Sequence, residues 1–160
     1  MERLGPLPEG DEAFDGSTPG KLVGAICDPG AELPVELGRC HEPGQTKPTP
    51  LLLQYGAGDY NCLHQDLYGE HVFPLQVAFL LSRAGSDFTG GEFILTEQRP
   101  RMQSRAEVVP LAQGEGVIFP VHHRPVHGTR GVYRVNLRHG VSRLRSGRRH
   151  TLGIIFHDAQ

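Results

Sequence analysis

The sequence lacks most of the features that would place a chain in a ready-made class. No stretch is apolar over the length needed to span a bilayer. The opening residues, MERLGPLPEGDEAFDG, put no apolar run behind a basic start and so do not read as a secretory leader. There are only three cysteines, Cys27, Cys40 and Cys62. Their odd number and irregular spacing exclude a disulfide framework and a cysteine metal site, and fit a reducing compartment. Net charge is also scarce, at −2 with histidines neutral. A nearly balanced chain sets up no global field for nucleic acid or a membrane surface. No glycine-rich loop opens a helix to cradle phosphate, and no serine sits in a nucleophile elbow. Internal repeats are absent. The expectation is a cytoplasmic chain whose partners are small molecules rather than nucleic acid or lipid.

What is present divides at about residue 48. Residues 1–48 are rich in proline, glycine and acids, with little periodicity, and read as an irregular segment. KLVGAI at 21–26 is one short strand or helical turn. HEPGQTKPTP, ending at Pro50, reads as a linker. Beyond it, residues 49–160 form the domain proper. Short runs of Val, Ile, Leu, Phe and Tyr are separated by Gly, Pro and Asp clusters, the pattern of many short strands. Eight are expected, near 51–55, 60–65, 74–82, 91–96, 106–110, 115–119, 132–141 and 149–156. Loops fall at 56–59, 83–90 and around 143–147. Such spacing without a helical period predicts an all-β sandwich or barrel.

Chemistry concentrates in a few polar residues. His64-Gln65-Asp66 puts an imidazole and a carboxylate two residues apart, hence on one side of a strand. Two histidines and one carboxylate on one face of a metal, with the other face open, make the triad of non-haem iron oxygenases. Taken alone, a His-x-Asp is more often an ordinary polar strand. A third ligand must come from further along, where His122, His123, His127, His139, His150 and His157 all qualify. His139 is preferred because Arg149 and Thr151 follow it on the next strand, which reads as an antiparallel return, a hairpin through Ser146-Gly147. A guanidinium fork matches a carboxylate in bidentate fashion, and a neighbouring hydroxyl adds a hydrogen bond. His139 and Arg149 face one interior only if the intervening turn has an odd count or a bulge, which Gly147 permits. The stretch from Arg138 to His150 carries five arginines, two histidines and no acid. Most of these read as solvated edge residues, and without interleaved aromatics a nucleic-acid module ranks last.

Several motifs occur in a recognisable order: Tyr55-x-x-Gly58-x-Tyr60, His64-x-Asp66, Gly90-Gly91-Glu92-Phe93, Gly116-Val-Ile-Phe-Pro120, then His139 and Arg149. Over residues 38–158 the chain resembles the prolyl-4-hydroxylase-like branch of the 2-oxoglutarate and iron(II) dioxygenase superfamily, especially its bacterial members. The resemblance implies a double-stranded β-helix, the jelly-roll or cupin-like barrel, here with reduced N-terminal helical support. It implies that His64, Asp66 and His139 hold iron(II). Arg149, with Thr151, would hold 2-oxoglutarate in a pocket that Tyr55 lines. It further implies oxidative decarboxylation of 2-oxoglutarate coupled to C–H hydroxylation, ascorbate (vitamin C) as a restoring reductant, and a peptidyl proline as substrate. His127 is a rival to His139, as a histidine soon after the Gly-x-x-x-Phe-Pro strand, though Arg138 lies eleven residues on with the wrong parity. The competing readings are a non-catalytic metal-binding barrel and a cupin-like metalloenzyme that does not use 2-oxoglutarate.

Overall fold

A computed structural model describes residues 3–4 and 38–160. They hold eleven strands: β1 (Arg3–Leu4), β2 (Leu51–Gly56), β3 (Asn61–His64), β4 (Leu75–Leu80), β5 (Phe88–Gly90), β6 (Phe93–Gln98), β7 (Arg105–Val109), β8 (Gly116–Pro120), β9 (His123–Gly128), β10 (Gly131–Val141) and β11 (Leu144–Ile155). One helical turn, 38–41, is the only helix among the described residues. KLVGAI lies outside them.

The strands form two antiparallel sheets. The larger runs β1-β8-β4-β11-β2, with β5 added on β11. The smaller runs β3-β10-β6-β7, with β9 added on β10. Alternation aims one side of every strand at a shared core. Tyr55, Leu80, Val117 and Phe119 enter it from the larger sheet, and Phe93, Leu95, Val109 and Val141 from the smaller. The rings of Phe93 and Phe119 meet edge-on across the gap, centroids 5.2 Å apart. This is the expected double-stranded β-helix.

Three local features depart from the sequence expectation. β10 and β11 are not a hairpin: residues 142–143 carry the chain from the smaller sheet to the larger, and the two strands pair with different neighbours. The expected loop around 143–147 belongs to β11. The irregularity needed to turn Arg149 inward is there, as a register shift against β5 between Leu144 and Ser146. Second, residues 120–131, left between two expected strands, contain β9, and the expected loop 83–90 contains β5; both are too short or too polar to show alternation. Third, residues 38–49 do not dangle as a linker. Gln45 is fully buried and its amide bonds to His71 O (2.9 Å), Asp158 O (2.8 Å) and His71 N (2.8 Å). Thr49 Oγ1 donates to His157 O at 2.6 Å. Backbone carbonyls that would otherwise be orphaned draw the polar segment in.

Just past the bulge, position 147 needs glycine. Its φ is +82°, and a Cβ there would lie 2.0 Å from Asp87 O. Gly147→Ala should therefore destabilise the fold by about 3 kcal/mol, from left-handed strain plus a clash with backbone that cannot yield. A melting temperature within a degree of the parent's would contradict this. A second prediction concerns the base of β9. Arg124 donates to Glu97 Oε2 from Nε at 3.1 Å and also through Nη2, while Arg99 Nε reaches Glu97 Oε1 at 3.2 Å. The Arg124 hydrogen bond holds the Glu97 carboxyl below its ordinary range, against burial. A depressed carboxylate stabilises the fold above its unfolded pKa, and that stabilisation disappears as pH falls through the folded value. Arg124→Ala should thus cost about 1 kcal/mol or less at pH 7, the pair being partly exposed. Thermal melts across pH should show the difference shrinking below about pH 4.

Candidate metal centre and its cavity

The predicted triad reaches one point from two stretches of chain. His64 ends β3, Asp66 follows in the loop, and His139 lies on β10 directly opposite His64 in the ladder. Their ligating atoms all fall within 4.8 Å of one another. Asp66 Oδ1 is 3.4 Å from His64 Nε2, and Oδ2 is 3.2 Å from His139 Nε2. The imidazole centroids stand 4.2 Å apart. Gly140, beside His139, allows this approach: a Cβ there would sit 2.6 Å from Asn61 O.

The surroundings prepare these groups for a cation. His64 Nδ1 lies 2.7 Å from Cys62 O, so Nδ1 donates to that carbonyl and Nε2 is the ring atom turned toward Asp66. Burial opposes ionisation of Asp66, but hydrogen bonds from His139, His64 and Tyr68 outweigh it and hold the carboxyl far below its usual range. His64 is raised in turn, chiefly by its bond to Asp66 and against burial. Tyr68 Oη donates to Asp66 Oδ1 at 2.7 Å. Burial, with the hydrogen bond to Asp66 and its charge, pushes the phenol up to about 12, so it remains a donor. His139 is buried between aromatic rings, Phe119 at 4.8 Å and Phe93 at 6.0 Å.

The triad opens into a cavity of about 330 Å³ that Tyr55, Arg149 and Thr151 also line. Arg149 is only 2% exposed. Burial lowers its pKa, with the Tyr55 phenol opposing, yet a guanidinium does not lose its proton in proteins. A cation is therefore held inside the barrel. Its Nη1 donates to Thr151 Oγ1 at 3.3 Å, its Nε has no partner, and no acid pairs with it among the described residues. Tyr55 and Phe88 present their rings to it at 5.4 and 5.9 Å. Gly91 makes room, since a Cβ there would be 3.1 Å from Arg149 Cδ and 2.5 Å from Leu144 Cδ1.

The other histidines lie elsewhere. His127, the rival ligand, is exposed on β9, outside the cluster. Cys62 is exposed and contributes only its carbonyl. Glu92 is exposed and bonds to Ser142. The arginine-rich stretch 138–150 is not one surface, because it changes sheets and buries its His139 and Arg149. Sequence reasoning missed three contributors. Tyr68 carries a signal, standing two residues beyond Asp66. Gln76 is the lone polar residue in the apolar strand LQVAFL. It lines the cavity with its amide nitrogen buried and unbonded. Gln65, between the two ligands, donates to Asn136 Oδ1 at 2.6 Å and Leu137 O at 2.7 Å. Nothing in the sequence pairs it with residues seventy positions away.

Comparison with known proteins identifies a family. The sequence model of the Oxygenase-NA family, described as an oxygenase catalysing oxidative methylation of damaged DNA, matches residues 31–159. Two uncharacterized proteins of Mycobacterium tuberculosis, MT2286 of strain CDC 1551 / Oshkosh and Rv2227 of strain ATCC 25618 / H37Rv, are each 55% identical to the chain over 123 residues. The match covers 77% of this chain and 53% of theirs, so the chain spans about half the length of the curated relatives it matches. Among solved structures, an oxidoreductase of the 2OG-Fe(II) oxygenase family from Burkholderia pseudomallei aligns with a TM-score of 0.48 at 20% identity, over 69% of this chain and 43% of that one. A Pseudomonas putida prolyl-4-hydroxylase aligns with a TM-score of 0.45 at 17% identity, over 89% and 82%. With a barrel of the expected kind, and four-fifths of its length matched by the family, the chain belongs to the Oxygenase-NA family of oxygenases.

Proposed function

We propose that this chain is an iron(II)- and 2-oxoglutarate-dependent dioxygenase domain that hydroxylates a C–H bond of a nucleic-acid substrate. The observation that carries the cofactor assignment is the buried, acid-free Arg149 in the same cavity as His64, Asp66 and His139. A metal with three protein ligands explains the triad; only an anionic ligand explains a desolvated guanidinium with an unbonded Nε. A diacid that chelates a metal at one end and reaches Arg149 with the other satisfies both. The donor set of two imidazoles and a carboxylate suits iron(II) with open positions.

Iron(II) bound there supplies the dioxygen chemistry that couples oxidative decarboxylation of 2-oxoglutarate to hydroxylation. The chain's own residues do the rest. His64 and His139 present Nε2, and Asp66 brings the negative charge, steadied by the Tyr68 hydroxyl. Arg149 takes the distal carboxylate as a bidentate partner. Thr151 accepts from Nη1 and can donate its own hydroxyl to the same carboxylate. Tyr55 stands beside the guanidinium. Phe93 and Phe119 wall off His139 and keep water from the reacting end. Ascorbate would restore iron(II) after uncoupled turnover.

The substrate class rests on the description of the family, which names damaged DNA. The peptidyl proline implied by the prolyl-hydroxylase resemblance has no residue in this structure that favours it. A nucleic-acid substrate also revises the expectation drawn from overall charge.

Two variants test the assignment. Asp66→Ala should abolish iron-dependent formation of succinate from 2-oxoglutarate; undiminished turnover would remove Asp66 from the ligand set. Arg149→Ala should weaken 2-oxoglutarate affinity more than about 100-fold while leaving metal affinity within a few-fold, since breaking a buried charge pair costs about 3–5 kcal/mol. A cupin-like enzyme that does not use 2-oxoglutarate would keep its activity in Arg149→Ala. A non-catalytic barrel would bind metal and consume no 2-oxoglutarate.

A further inference from the structure

The smaller sheet carries an element that the oxygenase chemistry leaves unused. β9 and the first half of β10 form a hairpin that pairs His123 with Asn136 and Gly128 with Gly131. Thr129 and Arg130 make its tip, and Gly131 takes φ +115° to close it. β9 pairs with β10 alone, so its outer edge is open. From Val121 to Arg138 the chain holds four arginines, three histidines and no acid. Glu97 takes Arg124. Arg130, Arg134 and Arg138 are exposed, and no acid pairs with them among the described residues.

Their placement is ordered. Arg134, Asn136 and Arg138 alternate along β10 and so stand on one face, the outer face opposite to His139, joined by His123 opposite Asn136. His127 lies on the same face, opposite Val132. Arg130 extends the charge to the tip. An open edge is commonly guarded by charge and proline, which accounts for Pro125. It does not call for three unpaired arginines along a face and tip. The hairpin is also joined to the metal centre. Gln65, between His64 and Asp66, bonds to Asn136 Oδ1, Leu137 O and His122 O (3.3 Å) at the hairpin's base.

We propose that the β9–β10 hairpin is a phosphate-gripping arm that holds a single-stranded stretch of polynucleotide in fixed register with the metal centre. The proposal rests on the nucleic-acid reading above and names the surface that serves it. Arginines without acid partners recognise phosphate, and their contacts position the strand without reading its sequence. A single strand offers its bases already out of a duplex, as chemistry on a base would need.

The test titrates the full chain, loaded anaerobically with iron(II) and 2-oxoglutarate, with a fluorescein-labelled 20-mer oligothymidylate over a range of salt. Arg130→Glu/Arg134→Glu should weaken binding at least tenfold. It should also reduce the slope of log affinity against log salt by about 1.4, roughly 0.7 for each lost single-strand contact. Arg83→Glu/Arg148→Glu, a charge-matched pair on the larger sheet's side, should bind like the parent. The proposal is overturned if the hairpin variant binds like the parent or if the control pair loses as much. It is equally overturned if the parent does not bind at low salt, or prefers phosphatidylserine vesicles to the oligonucleotide. The visible band of the iron and 2-oxoglutarate complex is recorded for every variant. Its absence from the parent would count against the cofactor assignment, while the oligonucleotide titration still judges the arm.

Discussion

A single desolvated cation organises the interior of this barrel. Arg149 lies inside, with Thr151 below it and the rings of Tyr55 and Phe88 around it, and among the described residues no carboxylate answers its charge. Leaving an ion buried and unpaired costs several kcal/mol, which a chain rarely tolerates without a purpose. The bulge at Leu144–Ser146, the positive φ of Gly147 and the missing side chain at Gly91 all serve to put that guanidinium where it is. At the other end of the cavity, Asp66 has the opposite character, an anion held by two imidazoles and a phenol. The cavity thus offers a cation site at one end and an anion site at the other. A metal-chelating diacid matches that polarity end for end.

How much of this was legible beforehand depended on the range of the interaction. His64 and Asp66 are two residues apart, and strand geometry alone puts them on one side. Arg149 and Thr151 share a face for the same reason. Joining the two pairs needed His139, and the choice among six histidines came from the order of motifs rather than from spacing. The structure supports that choice by geometry, with His139 facing His64 and His127 out on a polar edge. The route from β10 to β11 was misread as a hairpin because turn residues and β-formers alternate there as they would in one. Residues 142–143 change sheets instead, which periodicity cannot reveal. β9 was read as loop because its sequence, HRPVHG, has one aliphatic residue in six. Its pairing with β10 comes from the ladder, not from burial.

Charge shows the same limit. A formal balance of −2 gave no reason to expect an anionic polymer, and the arginines from 138 to 149 looked like the basic feature of the chain. Folding separates them. Arg149 goes to the interior, Arg138 stands on β10 in line with Arg134, and Arg143, Arg145 and Arg148 stay exposed around the start of β11. Composition averages over surfaces that the fold keeps apart. The bond network through Gln65 then gives the hairpin a fixed relation to the metal ligands. The proposed polynucleotide substrate would require such a fixed relation.

The account's central claim is that the triad and Arg149 form one site for a metal and a diacid. Anaerobic titration with iron(II), with and without 2-oxoglutarate, measures it directly. The claim predicts a visible metal-to-ligand charge-transfer band that appears only when both are present, at one equivalent each, and that Arg149→Ala shifts to much higher 2-oxoglutarate concentration. A spectrum indifferent to 2-oxoglutarate, or a band unchanged in Arg149→Ala, would contradict it.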